Sequence, residues 1–229
     1  SGCAGCTVLA MAGAPDPSGH GEPNGSATAT TVDETGQWSL EMGLAADSYV
    51  TAVTIDVDGN MSESAKNVLG PSKLVVDRTD DDLVAACSTA ANDCTLRGAL
   101  TIVRSGDTIG FDATTFPVGV ATTIAITRAL PEVVAYRIGI EGVGTTQPGV
   151  VLDGTDAPAG TDGLVIRSDQ VSVYGLIVRH FPGDGVVISG GSNSLGSGSC
   201  SGSGQNSARR IWVENNQGYG IRVTGEEAD

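Results

Sequence analysis

The stretches Gly163-Leu164-Val165-Ile166, Gly185-Val186-Val187-Ile188 and Gly220-Ile221-Arg222-Val223 decide how this chain is read. Each is a glycine followed by three largely apolar residues, and they stand 22 and 35 residues apart. A second phrase keeps step. Val178 lies seven residues before Gly185, Val213 lies seven before Gly220, and both spans read Val-x-x-x-x-Gly-x-Gly. The longer interval holds a Gly/Ser-rich tract at 190–204, an insertion of about 13 residues. Two phrases in register at a period near 22 predict a solenoid rather than a closed sandwich. In a solenoid, short strands pair in parallel with the turn above and below. Val, Ile and Leu stack inward, and Gly, Asn and Asp take the turns. Asn215-Asn216-Gln217-Gly218 suits such a corner, where left-handed backbone favours Gly and Asn. About four turns fit from Asp107 onward, more than the roughly three that stability needs.

Working outward, Cys94–Val103 is the one convincing helical stretch, with apolar residues at 96, 99, 100 and 103. A helix at the start of a long β region predicts a cap, because an open solenoid end exposes strand edges and core. Lys73–Asp77 starts a strand, and Gly70-Pro71-Ser72 marks a linker, so the boundaries are 1–69, 70–72 and 73–229. Residues 1–69 show apolar alternation in Thr7–Met11, Gly25–Val32, Gln37–Met42 and Ser48–Val57, separated by Gly/Pro-rich breaks. That spacing predicts a small β-sandwich with Trp38 and Tyr49 in its core.

Composition agrees with an all-β chain. Of 229 residues, 33 are Gly and only 4% are aromatic, while 40% are hydrophobic, enough to bury a core. The net charge of −15 argues against nucleic acid, because nothing would replace the phosphate counterions. It is the charge of a protein kept soluble outside the cell, with calcium as the one cofactor it admits. No run approaches the roughly 20 apolar residues of a membrane span. Ser1-Gly2-Cys3 has no leader character, so the chain reads as processed or as part of something longer. The cysteines fall as Cys3 and Cys6, Cys87 and Cys94, and a lone Cys200, a pattern that suits disulfides in an oxidising compartment. Zinc is disfavoured because His20 and His180 sit far from either cysteine pair in sequence. Cys200 is either a free loop thiol or an intermolecular link.

Cys87 and Cys94-Thr95-Leu96-Arg97-Gly98-Ala99-Leu100 resemble the CSLREA domain, with Thr and Gly in place of the motif's Ser and Glu. Gly106-Asp107-Thr108-Ile109-Gly110-Phe111 is similar to that family's next strand, and Ile138–Gly144 to its first full rung. The resemblance covers about 73–223 and implies a right-handed parallel β-helix in a secreted or cell-surface protein. Cys3-x-x-Cys6-Thr7-Val8, Gly36–Leu40 and Asp56–Ser64 resemble the Ig-like modules found beside such β-helices. The fold expected is all-β: an Ig-like β-sandwich, then a right-handed parallel β-helix with a short helical N-terminal cap. The C-terminal residues 225–229 follow a strand directly, and the end reads as truncated.

Glycan-cleaving enzymes also use the β-helix, but fold alone does not confer their chemistry. Glycoside hydrolysis needs two carboxylates about 5–10 Å apart. The candidates are Asp153, Asp162 and Asp184, with Arg179 and His180 nearby, and all lie in or beside Gly-rich turns that favour Asp on backbone grounds. Asp184, His180 and an outward-pointing Trp212 are the candidate glycan contacts, and Arg209-Arg210 the candidate acid-sugar contact. Asp56, Asp58 and Asn60 are weak calcium candidates at a strand-end turn. No catalytic constellation is assigned. The expected function is a non-enzymatic extracellular structural protein, a scaffold, adhesin or filament subunit, whose partners are further copies joined head to tail or further modules of the same protein. The alternative is a pectate-lyase-like protein that binds or cleaves polysaccharide.

Overall fold

The computed structural model describes residues 3–13, 19–20, 23–40, 42, 48–62, 64–66, 68–144, 148–196 and 210–224. The chain is mostly β and divides into two compact units, Ser1–Ser72 and Lys73–Asp229.

The first unit contains β1 (Thr7–Gly13), β2 (Pro23–Thr31), β3 (Tyr49–Ile55) and β4 (Val68–Leu69). They form one antiparallel sheet in the order β2-β1-β3-β4. Its buried cluster is small: Cys6, Val8 and Val32, with Ala52 against it. Cys3 and Cys6 form a disulfide at the entry to β1. Two expectations fail here. Residues 37–40 and 42 carry no strand, and Trp38 is 46% exposed rather than in the core. The cause is local. The Asp33 carboxylate accepts the amides of Thr35 and Gln37, and Asp33 N–H donates to the Gln37 carbonyl. These bonds close a turn at 33–37, in the break expected between strands, and the residues that follow it run on without strand pairing. Tyr49 is half-buried at the start of β3.

The second unit opens with β5 (Lys73–Val76) and α1 (Leu96–Ile102). Thr95 caps α1, its hydroxyl accepting from Gly98 N–H at 3.0 Å. Then β6 (Thr108–Phe111) and β7 (Thr122–Ala125) lead to β8 (Gly139–Glu141), β9 (Val150–Asp153) and β10 (Leu164–Ile166). The same rotation repeats with β11 (Ser172–Tyr174), β12 (Leu176–Arg179) and β13 (Val186–Ile188). It repeats again with β14 (Ser194–Leu195), β15 (Trp212–Glu214) and β16 (Ile221–Val223). Successive strands visit three parallel sheets in turn, ordered β5-β6-β8-β11-β14, β7-β9-β12-β15 and β10-β13-β16. In the circuit of β6 and β7 the third sheet is represented by a bridge, Val133 to Ile166.

The repeated phrases pair as their spacing demands: Leu164 with Val186, Val186 with Ile221, and Val178 with Val213. Inward residues stack into ladders such as Ile109, Ile140, Val173 and Leu195 in one sheet and Ile124, Leu152, Val178 and Val213 in the next. Leu96, Ala99 and Leu100 of α1 join the same buried cluster beside Leu74 and Val76. One feature had no counterpart in the sequence reading. Val151 and Ile177, on the opposite face of their sheet from Leu152 and Val178, are buried as well.

The motif Cys94-Thr95-Leu96-Arg97-Gly98 is structural at each residue. Cys94 is disulfide-bonded to Cys87, and Leu96 is core. Arg97 is buried and pairs with buried Asp81 at 2.7 Å. Its Nη2 and Nη1 also donate to the Arg128 and Ala129 carbonyls, while Thr127 donates to Asp81 from both N–H and hydroxyl. A Cβ on Gly98 would sit 1.8 Å from the Val84 carbonyl oxygen, so a side chain there requires the backbone to move.

Candidate functional site

The predicted site residues meet at the corner that leads from the second parallel sheet to the third. Asp153, Arg179 and Glu214 end β9, β12 and β15, and they pair in register, so charges alternate across three circuits. Arg179 Nε donates to Asp153 at 2.9 Å. His180 follows with a left-handed backbone, φ 58°, and Asn215 repeats that conformation one circuit on, φ 54°. His180 Nδ1 lies 3.2 Å from Asp153 Oδ2, and Thr155 Oγ1 donates to Asp153 Oδ1 at 2.6 Å. Burial alone would raise the Asp153 carboxyl, but hydrogen bonds from Thr155, Arg179 and His180 outweigh it and hold it down at about 2. A group depressed that far is ionised at neutral pH. It is the opposite of the raised carboxyl that a glycosidase uses to protonate its leaving group.

Asp162 and Asp184 stand one circuit apart. Asp162 Oδ1 accepts from Asp184 N–H, and Asp184 Oδ1 accepts from Tyr219 N–H, both at 2.7 Å. Each carboxylate therefore ties its corner to the next. Their second oxygens face Arg222, which contacts Asp184 closely and Asp162 at 3.8 Å. The glycines of the Val-x-x-x-x-Gly-x-Gly pattern make this possible. A Cβ on Gly183 would fall 2.4 Å from Asp162 Oδ1, and one on Gly218 would fall 2.2 Å from Asp184 Oδ1. A Cβ on Gly185 would lie 2.6 Å from the Gly220 carbonyl oxygen. Asparagines brace the circuits in the same manner: Asn216 accepts from Phe181 N–H at 2.9 Å, and Asn193 accepts from Val171 N–H at 2.7 Å.

The other candidates are dispersed. Trp212 is half-buried and lies in register with Ile177 on the face opposite the inward ladder. Arg210 is exposed, and its carbonyl accepts from Gly175 N–H. Cys200 and Arg209 lie outside the described residues. Asp56 accepts from Asp58 N–H, Asn60 N–H and Asn60 Nδ2, so the calcium candidates Asp56, Asp58 and Asn60 form a hydrogen-bonded turn. A groove of about 480 Å³ lies beside the Cys87–Cys94 disulfide, lined by Asp77, Ser88, Asn92, Asp112 and Thr115 among others. Its carboxylates are committed too. Asp77 accepts the amides of residues 92–94, and Asp112 those of Thr114 and Thr115.

Among the described residues, no group of three or more His, Cys, Asp or Glu is placed to hold a metal ion. Nor is any helix among them long and apolar enough to cross a membrane. Sequence reasoning missed the Arg97–Asp81 pair. Its signal was present but ambiguous, since Asp80, Asp81 and Asp82 run together and only the fold selects one. No protein-family model, curated protein or solved structure matches the chain.

Proposed function

We propose that this chain is a structural module of a secreted or cell-surface protein, with no catalytic role. Its second unit is a right-handed parallel β-helix of the CSLREA type capped by α1. Its first is an Ig-like module to which the sheet β2-β1-β3-β4 contributes. The observation that carries the reading is the use made of the candidate catalytic carboxylates. Asp162 and Asp184 bind the backbone of the following circuit, and Asp153 is locked by Thr155 and Arg179. Side chains so committed stabilise a rod and leave no acid–base pair. The two disulfides support an oxidising compartment.

The exposed residues of β16 support association with further strands. Ile221 and Val223 are 46% and 69% exposed, whereas Val186 and Ile188, their partners one circuit earlier, are 0% and 7% exposed. Such a layer pairs with further strands, and head-to-tail contact with a second copy is the arrangement proposed. Sedimentation of the full chain over a hundredfold range of concentration tests it. Growth into linear oligomers that Ile221→Lys abolishes is expected. A strict monomer at every concentration rejects self-association.

A second reading, polysaccharide binding, has one observation in its favour: Arg179 and His180 are partly exposed beside Asp153. Incubation with acidic polysaccharides tests it. Retention or cleavage that Arg179→Ala removes would promote it over the first.

A further inference from the structure

The turn after β3 carries Asp58-Gly59-Asn60-Met61-Ser62, an Asn-x-Ser sequence that the structural reading leaves unused. Every residue from Val57 to Ser62 is exposed. We propose that Asn60 is an acceptor for an asparagine-linked glycan. The proposal goes beyond the structural role and does not depend on head-to-tail association.

Three observations carry it. The acceptor stands at a turn tip, with Gly59 at φ 86° turning the chain outward. A Cβ on Gly59 would meet nothing within 4 Å, so the tip is open to a bulky substituent. The amide also has a hydrogen to spare. Asn60 Nδ2 donates to Asp56 Oδ2 at 2.8 Å. A primary amide carries two hydrogens, and substitution removes only one. In the transfer, Nδ2 forms a bond to the anomeric carbon of an oligosaccharide carried on a polyprenyl diphosphate. The bond from that carbon to the diphosphate oxygen breaks, the diphosphate leaves with the electron pair, and one Nδ2 proton passes to a base of the transferase. The remaining hydrogen keeps its bond to Asp56. A second Asn-x-Ser sequence, Asn24-Gly25-Ser26, lies instead inside β2, between Pro23 and Ala27, which pair with Gly13 and Met11 of β1.

The folded turn competes with transfer. Ser62 Oγ accepts from Thr54 N–H at 2.9 Å, and Met61 bridges Ile55. Asp56, which holds both the Asn60 amide and its side chain, is the latch. Loosening it therefore raises occupancy.

The test is to send the full chain through a secretory route that contains an asparagine-linked oligosaccharyltransferase, then weigh its peptides. Because the host imposes the route, the result is independent of where the protein natively resides. Disulfide oxidation verifies passage. A glycan on the Asn60 peptide is expected, lost in Ser62→Ala, kept in Asn24→Gln, and at least about twofold more abundant in Asp56→Ala. A bare Asn60 in the secreted, oxidised wild-type chain overturns the proposal, as does a glycan on that peptide that survives Ser62→Ala.

Discussion

The two units are both made of short strands, and they hold themselves together differently. The coil of parallel strands stacks one buried aliphatic ladder in each sheet, with Phe116 and Phe181 also fully buried. The described part of the antiparallel unit buries Cys6, Val8 and Val32 as its cluster and leaves Trp38 outside. A core layer in the coil touches the layers before and after it, so each inward residue is used twice. The antiparallel sheet has no such repetition, and its stability rests more on local turns such as those held by Asp33 and Asp56. Stability is thus distributed unequally along one chain, and heating is expected to give two transitions, that of the N-terminal unit first.

The largest test of that comparison is Arg97→Leu. Asp81 would keep its buried position without its cation, and two carbonyls would lose their donors. Removing one partner of a buried pair costs about 3–5 kcal/mol. Calorimetry should show the second transition move down and the first stay in place. If both moved together, the units would not be energetically separate.

Acid gives a smaller effect, at the corner where Ile126 N–H donates to the Asp153 carbonyl and the next residue, Thr127, holds Asp81. The Asp153 carboxyl sits at about 2 when folded, against about 3.9 in an unfolded chain. A depressed folded value means its contribution is present above about pH 4 and is lost as pH falls through about 2. Allowing for partial solvent screening, the contribution is about 1–2 kcal/mol. Asp153→Asn should lower the stability of the coil by about that amount above pH 5 and flatten its fall between about pH 4 and pH 2.

Thr95→Ala comes next. It removes the hydroxyl that caps α1 and also contacts the Asp82 carbonyl at 2.7 Å. Loss of an N-cap costs about 1 kcal/mol. Hydrogen exchange should rise first in α1 and in the adjoining β5, with little change in β15 and β16.

The coil was legible where its period was constant. The spacing of 22 that relates Leu164 to Val186 also relates Ser172 to Ser194, and the pairs lie in register in the structure. The earlier circuits were not legible from the period, because Ile109, Ile140 and Val173 are 31 and 33 residues apart and the connecting loops vary, and only the resemblance marked strands at 106–111 and 138–144. One corner turns through a left-handed residue two positions before each strand: Gly106, Arg137, Gln170 and Ser192. Only the first announces itself, since the circuit's closure and not the residue's preference imposes that conformation on the others. Asp184 and His180 lie at one corner, and the structural use of the carboxylate was hidden. Its partner is a backbone N–H one circuit on, and backbone partners leave no trace in residue identity. In the first unit the same limit acted in reverse. The turn at 33–36 and the alternation at 37–42 were both visible, but alternation alone does not supply the neighbouring strand that 37–40 would need to pair with.

Trp38→Ala is the smallest expected effect and the sharpest check on that failure. A buried tryptophan truncated to alanine costs about 3–5 kcal/mol, whereas a surface substitution stays within about 0.5 kcal/mol. Trp38 is 46% exposed and follows the turn closed by Asp33 and Gln37. The melting point of the first unit should therefore hardly move. The fluorescence of wild-type Trp38 should be quenched readily by iodide, and that of half-buried Trp212 less so. A loss of several kcal/mol would return Trp38 to a core. The N-terminal unit would then be packed more like the coil, and the contrast between the two would narrow.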